Sequence, residues 1–152
     1  MILEMLCYTC AKCGHTFDAP ALSQNAYGEF LLWSRSGEIR YLNALEDVTF
    51  EAVRNLLARS GKLGEVQSLE GAKVLQKLYG DLACDRDDLG FAFEIDSLPP
   101  CQKCGSQQMS SWTPKNPPEV VDKNIAPVSH THWTSLADSE KITLVSAKLA
   151  EA

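Results

Sequence analysis

Six cysteines, Cys7, Cys10, Cys13, Cys84, Cys101 and Cys104, are the residues of this chain best equipped for chemistry. Five of them fall into two short clusters, and each cluster contains a Cys-x-Lys-Cys-Gly unit: Cys10-Ala11-Lys12-Cys13-Gly14 and Cys101-Gln102-Lys103-Cys104-Gly105. Six thiols in an oxidising compartment make three disulfides, whereas close pairs in a reducing one bind metal or exchange electrons. The clustering favours metal. A two-residue gap lets one tight turn present both sulfurs to a single ion. The glycine that follows tolerates positive φ, so backbone amides can turn in toward the sulfurs. Four thiolates satisfy zinc tetrahedrally at Zn–S distances of about 2.3 Å.

The remaining candidates read more plainly. Cys84 stands among Asp81, Asp85, Asp87 and Asp88; a nucleophilic thiolate needs positive surroundings, so a partly buried thiol is expected. The four aspartates lack the EF-hand frame. They form either a solvated loop or an acidic surface that meets a basic partner. His130 and His132 would share a face in an extended segment, but two ligands do not make a metal site, and a polar turn before the last helix is the simpler reading. His15 follows the first unit and packs beside it. Trp33, Tyr41, Trp112 and Trp133 are scattered, as core or interface residues are. The chain has no phosphate loop, Gly-x-Ser-x-Gly elbow or His-Glu-x-x-His, so a non-enzyme is expected.

These side chains need elements to position them. A strand is expected over residues 2–8, a short extended piece at 15–17, and a hairpin of strands 30–33 and 38–42 around the turn at 34–37. A first helix starts near Thr49, with Thr49 as cap and Phe50, Val53, Leu56 and Leu57 on one face; Gly61 stops it. A second spans 66–79, with Leu69, Ala72, Leu75, Leu78 and Tyr79 inward and Gly80 at its end. Leu89, Phe91, Phe93 and Ile95 alternate in the clearest strand pattern of the chain. A strand is expected at 107–112, and Pro114, Pro117 and Pro118 then break regular structure. The last helix fits 136–150, with Ser135 and Asp138 resembling a capping box and Ile142, Val145 and Leu149 on its apolar face.

The two units resemble the knuckles of the zinc-ribbon and rubredoxin-like group: Cys10-Ala11-Lys12-Cys13-Gly14-His15-Thr16-Phe17 is similar to its first knuckle and Cys101-Gln102-Lys103-Cys104-Gly105 to its second. The resemblance covers some 30 residues. It implies a site made of Cys10, Cys13, Cys101 and Cys104. Cys7 precedes Cys10 by three residues, so Cys7 with Cys10 is an alternative pair at this stage. The sequence departs from the group in the spacing between knuckles. Residues 14–100 lie between them, so the ribbon must be split by a large insertion. It also departs in Gln102, where rubredoxins usually carry proline, which puts an iron centre in doubt.

The fold class expected is therefore α+β: a split zinc ribbon over 1–112 with an insertion at 18–96 holding a hairpin and two helices, a Pro-rich extended arm at 113–133, and a C-terminal helix at 134–152. The chain has 152 residues, 45% hydrophobic and 22% charged, the balance of an ordinary globular protein. Its formal net charge of -6 argues against general phosphate-backbone binding. Residues 38–100 hold 12 acids against 7 bases and carry most of that excess. No apolar run of about 18 residues could cross a membrane, and the N-terminal stretch, with Glu4 and no basic flank, does not read as a signal peptide. A cytoplasmic location is expected. Three functions stand open: a zinc-stapled protein-binding module, either adaptor or immunity-type inhibitor, whose acidic insertion engages a basic protein; a nucleic-acid-binding ribbon using Lys12 and Lys103; or a rubredoxin-like redox protein.

Overall fold

The computed structural model describes residues 1–23, 26–60 and 69–151, the side chain of Leu69 excepted. In chain order its elements are β1 (Ile2–Cys10), β2 (Thr16–Ala21), β3 (Glu29–Trp33), β4 (Ile39–Asn43), α1 (Val48–Arg59), α2 (Leu69–Ala83), β5 (Met109–Pro114), β6 (Val120–Asp122), α3 (Thr131–Ser135) and α4 (Asp138–Glu151). The class is α+β, and the strands pair antiparallel.

β1 is the central strand of one sheet. Its first edge pairs with β2, from Glu4↔Ala21 to Thr9↔Thr16. Its second edge is shared: β6 pairs with Ile2 to Glu4, and β5 pairs with Leu6 to Cys10. The register shifts between Thr9 and Cys10, and Ala11 N–H then reaches Gln108 O at 2.9 Å, which carries the chain from strand into knuckle. Under this sheet Tyr8, Cys10, Phe17, Ala19 and Cys101 make a small core. The Tyr8 and Phe17 rings stack at 5.6 Å.

Most of the larger core lies between the knuckles in sequence. The β3–β4 hairpin contributes Leu32 and Leu42, α1 contributes Val53 and Leu57, and α2 contributes Leu75 and Tyr79. Val145 and Leu149 of α4 close it. The helical spacing of these residues puts them on inward faces, and full burial of each large aliphatic chain is worth about 1.5–3 kcal/mol.

Several elements differ from the sequence expectation, each for a local reason. The cap of α1 is Asp47 rather than Thr49: its Oδ1 accepts from Thr49 N at 2.9 Å and Phe50 N at 3.4 Å. The stop at Gly61 and the start of the second helix at Val66 lie outside the described residues. Gly80 does not end α2, which runs on to Ala83. A Cβ at position 80 would stand 1.7 Å from the Phe93 carbonyl oxygen, so the glycine admits a crossing backbone.

The alternating segment 89–95 is not a strand. The Asp87 carboxylate accepts from Leu89 N at 3.0 Å and Phe91 N at 2.8 Å, taking donors that a ladder would use. Leu89 is left 73% exposed, while Phe93 and Ile95 enter the large core. Only Glu94 bridges to a strand, at Trp33.

The arm at 113–133 carries β6 and the start of α3, and it is laced to the hairpin by Tyr41 N to Ala126 O and Val128 N to Tyr41 O, both 2.9 Å. The capping pair before α4 is Ala137 and Glu140, with Glu140 Oε1 accepting from Ala137 N at 3.0 Å; Ser135 belongs to α3. Among the described residues no helix is long and apolar enough to cross a membrane.

Candidate metal centre

The two Cys-x-Lys-Cys-Gly units fold into matching turns. In the first, Cys10 N–H donates to His15 O at 2.9 Å and Gly14 N–H to Cys10 O at 3.0 Å. In the second, Cys101 N–H donates to Ser106 O at 2.8 Å and Gly105 N–H to Cys101 O at 2.9 Å. Gly14 and Gly105 sit at φ +76° and +77°, with open space around each, so the glycines serve the turn and not a close contact. The Lys12 and Lys103 amides both point back at a sulfur, Cys10 Sγ and Cys101 Sγ, at 3.4 Å.

β1 and β5 bring the two turns together. Cys10 Sγ lies 3.5 Å from Cys104 Sγ, and Cys13 Sγ lies 3.6 Å from Cys101 Sγ. All four sulfurs lie within 4.8 Å of one another. An ideal tetrahedron with Zn–S bonds of about 2.3 Å has sulfurs about 3.8 Å apart, so the donor set and its size fit one ion. Cys10 and Cys101 are buried, while Cys13 and Cys104 are exposed. The four cysteines are thus placed to hold a metal ion, half sunk in the small core. His15 stacks on Phe17 beside them, with ring centroids 6.3 Å apart.

The thiols are not equivalent. Cys10 is held down to about 6, chiefly by the N–H of Cys13, with further help from the N–H of Lys12. Cys13 is pushed up to about 11: the N–H of His15 works the other way, but burial and the sulfurs of Cys101, Cys104 and Cys10 outweigh it. Burial raises Cys101, yet the N–H groups of Cys104 and Lys103 leave it below the ordinary thiol range. Inward-turned amides favour thiolates here, as they do in metal-binding turns.

Cys7 stays outside the group. It lies three residues from Cys10 on one strand, and odd separations on a strand face opposite sides. Cys84 is buried, and burial, then the charges of Asp47 and Asp85, pushes its thiol up to about 12. It is an inert thiol at neutral pH.

Three of the four aspartates are placed for work within the fold. Asp85 accepts from Ser129 Oγ at 2.6 Å and from the amides of Thr131 and His132 at 2.9 and 3.0 Å. It caps α3 from a distant part of the chain. Asp87 is buried and organises its own loop. Asp81 receives Arg86 at 2.6 Å and Lys148 at 2.5 Å. Asp88 is exposed, with its amide on Glu38.

His130 and His132 join no group of three or more ligands among the described residues. His130 has a different position, which the sequence did not signal. Its Nδ1 donates to Ala83 O at 2.7 Å, and its Nε2 lies 2.8 Å from Asp47 Oδ2. Tyr79 donates to the same carboxylate oxygen at 3.0 Å. The cap of α1, the middle of α2 and the arm thus meet at one polar knot with both Asp47 and His130 mostly buried.

Comparison with protein-family models, with curated proteins and with solved structures finds no match to this chain.

Proposed function

We propose that Cys10, Cys13, Cys101 and Cys104 bind one zinc ion as a closed structural centre, a split zinc ribbon, in a non-enzymatic protein-binding module. The observation that carries this reading is the pair of matching knuckles with four sulfurs within 4.8 Å. A four-thiolate centre has no open position for water or substrate, so its contribution is to folding. The ion would join the first turn of the chain to a turn 88 residues further on. Elemental analysis of the untagged protein should give one zinc per chain. A red protein carrying iron would replace zinc with a rubredoxin-type centre.

The partner proposed is a basic protein, met by the acidic insertion in the manner of an adaptor or immunity-type inhibitor. Glu46, Asp88 and Asp96 are exposed there, and complementary charge steers such encounters. A pull-down at rising salt should show affinity falling steadily; no stable partner at low salt would defeat this part of the reading. The nucleic-acid alternative rests on Lys12 and Lys103, which are exposed on the knuckles. Micromolar binding to RNA or DNA near physiological salt would promote it.

A further inference from the structure

Several exposed cations have no ion-pair partner among the described residues, and two of them, Arg35 and Lys77, line one cleft of about 510 Å³. The cleft lies among the hairpin, α2, the loop around Asp87 and the end of α4. Its other two cations, Arg86 and Lys148, converge on the single carboxylate of Asp81, and Lys148 also lies 3.7 Å from Glu151. Those charges are internally matched. Arg35 and Lys77 are therefore the ones available to an incoming anion, and arginine's planar fork suits a phosphate or carboxylate.

Two aromatic side chains share the cleft. Trp33 is half-buried at one wall and Phe91 is 39% exposed at another. Ring faces of this kind receive a planar group. The volume lies inside the range of about 300–1,000 Å³ that holds small ligands. Glu94 also lines the cleft, exposed and without an ion pair among the described residues. It can accept from a hydroxyl or amino group, and it repels a long polyanion, as does the net charge of -6.

We propose that this cleft binds a small phosphate monoester carrying a planar ring, of the nucleoside monophosphate class. Arg35 and Lys77 hold the phosphate, and Trp33 and Phe91 flank the ring. The assignment goes beyond the metal reading and does not depend on it.

The test is titration of the full chain with adenosine monophosphate, adenosine and inorganic phosphate, followed by calorimetry and tryptophan fluorescence. Adenosine monophosphate should bind at submillimolar concentration, at least tenfold tighter than either fragment, and quench fluorescence. The double variant R35A/K77A should weaken it at least tenfold with metal content and thermal melting unchanged, since both side chains are exposed. Trp33→Phe should remove most of the quench. No binding at millimolar concentration, or binding unchanged in R35A/K77A, would overturn the proposal. Equal binding of inorganic phosphate would overturn the role of the rings, and tighter binding of a single-stranded oligonucleotide or an acidic peptide would overturn the ligand class.

Discussion

Among the described residues, the core beneath the knuckles consists of five buried residues, two of them cysteines of the centre itself, while the core of the hairpin and helices has fourteen. The two regions must therefore be held differently. The larger one buries far more apolar surface. The smaller one has strand pairing and two stacked pairs of rings, Tyr8 with Phe17 and His15 with Phe17, and so small a core buries little apolar surface. Metal ligation is the term that can make up the difference, because a structural zinc site contributes its binding free energy to folding. With the proposed ion bound, one chain would use apolar packing in one place and coordination in the other.

The largest effect should come from breaking the centre. Cys104→Ala removes an exposed side chain, so loss of packing alone predicts less than about 0.5 kcal/mol. With a bound ion the cost rises toward the order of 10 kcal/mol that structural zinc supplies. Amide exchange should show it: the amides of Cys10, Ala11 and Cys101 lose protection on mutation or chelation, while those of α1 and α2 keep theirs. Equal loss in both regions would erase the contrast between them.

The next largest effect belongs to the larger region. Gly80→Ala drives a methyl into the Phe93 carbonyl, and overpacking of this severity costs about 3 kcal/mol. Urea denaturation should register it with metal content unchanged. Asp47→Ala should cost about 2–3 kcal/mol, because it deletes the α1 cap, leaves the buried Tyr79 hydroxyl without its acceptor and removes the carboxylate beside His130 Nε2. Asp47→Asn should recover part of that loss, since an amide oxygen still caps.

The smallest effect is a pH dependence. Burial raises the Asp87 carboxyl, but the hydroxyls of Ser34 and Ser36 and the amides of Phe91 and Leu89 outweigh it and hold it down to about 2. A carboxylate depressed in the folded state stabilises above its unfolded value of about 3.9. That contribution fades as pH falls from there through about 2. Urea midpoints measured across this window should slope downward toward acid, and Asp87→Asn should flatten part of the slope. An unchanged slope would remove Asp87 as a source of acid sensitivity in the larger region.

What could be read from the sequence follows the same division. The knuckles were legible because their chemistry is local: two cysteines, a lysine and a glycine define each turn within five residues. The hairpin and most of the helical faces were legible through periodicity; Ile142, expected on the apolar face of α4, is 54% exposed. Segment 89–95 misled because its alternation is as good as a strand's, while the deciding group, the Asp87 side chain, lies just outside it. Gly80 misled because a glycine that ends a helix and one that admits a neighbouring backbone look alike in one dimension. The knot of Asp47, Tyr79 and His130 left no local mark, since its members lie 32 and 51 residues apart and meet only through tertiary packing.

The placement of β1 has a consequence in time. It is made before the strands that flank it and is the central one of its sheet, yet its second edge is covered by β5 and β6, which come about a hundred residues later. Ribosomes add roughly 5–20 residues per second. The 88 residues from Cys13 to Cys101 thus take roughly 4–18 s to emerge at that pace. The hairpin and helices between can begin to collapse during that interval. The first knuckle must wait, with its thiols unpartnered, until the second knuckle, β5 and β6 emerge to complete the sheet.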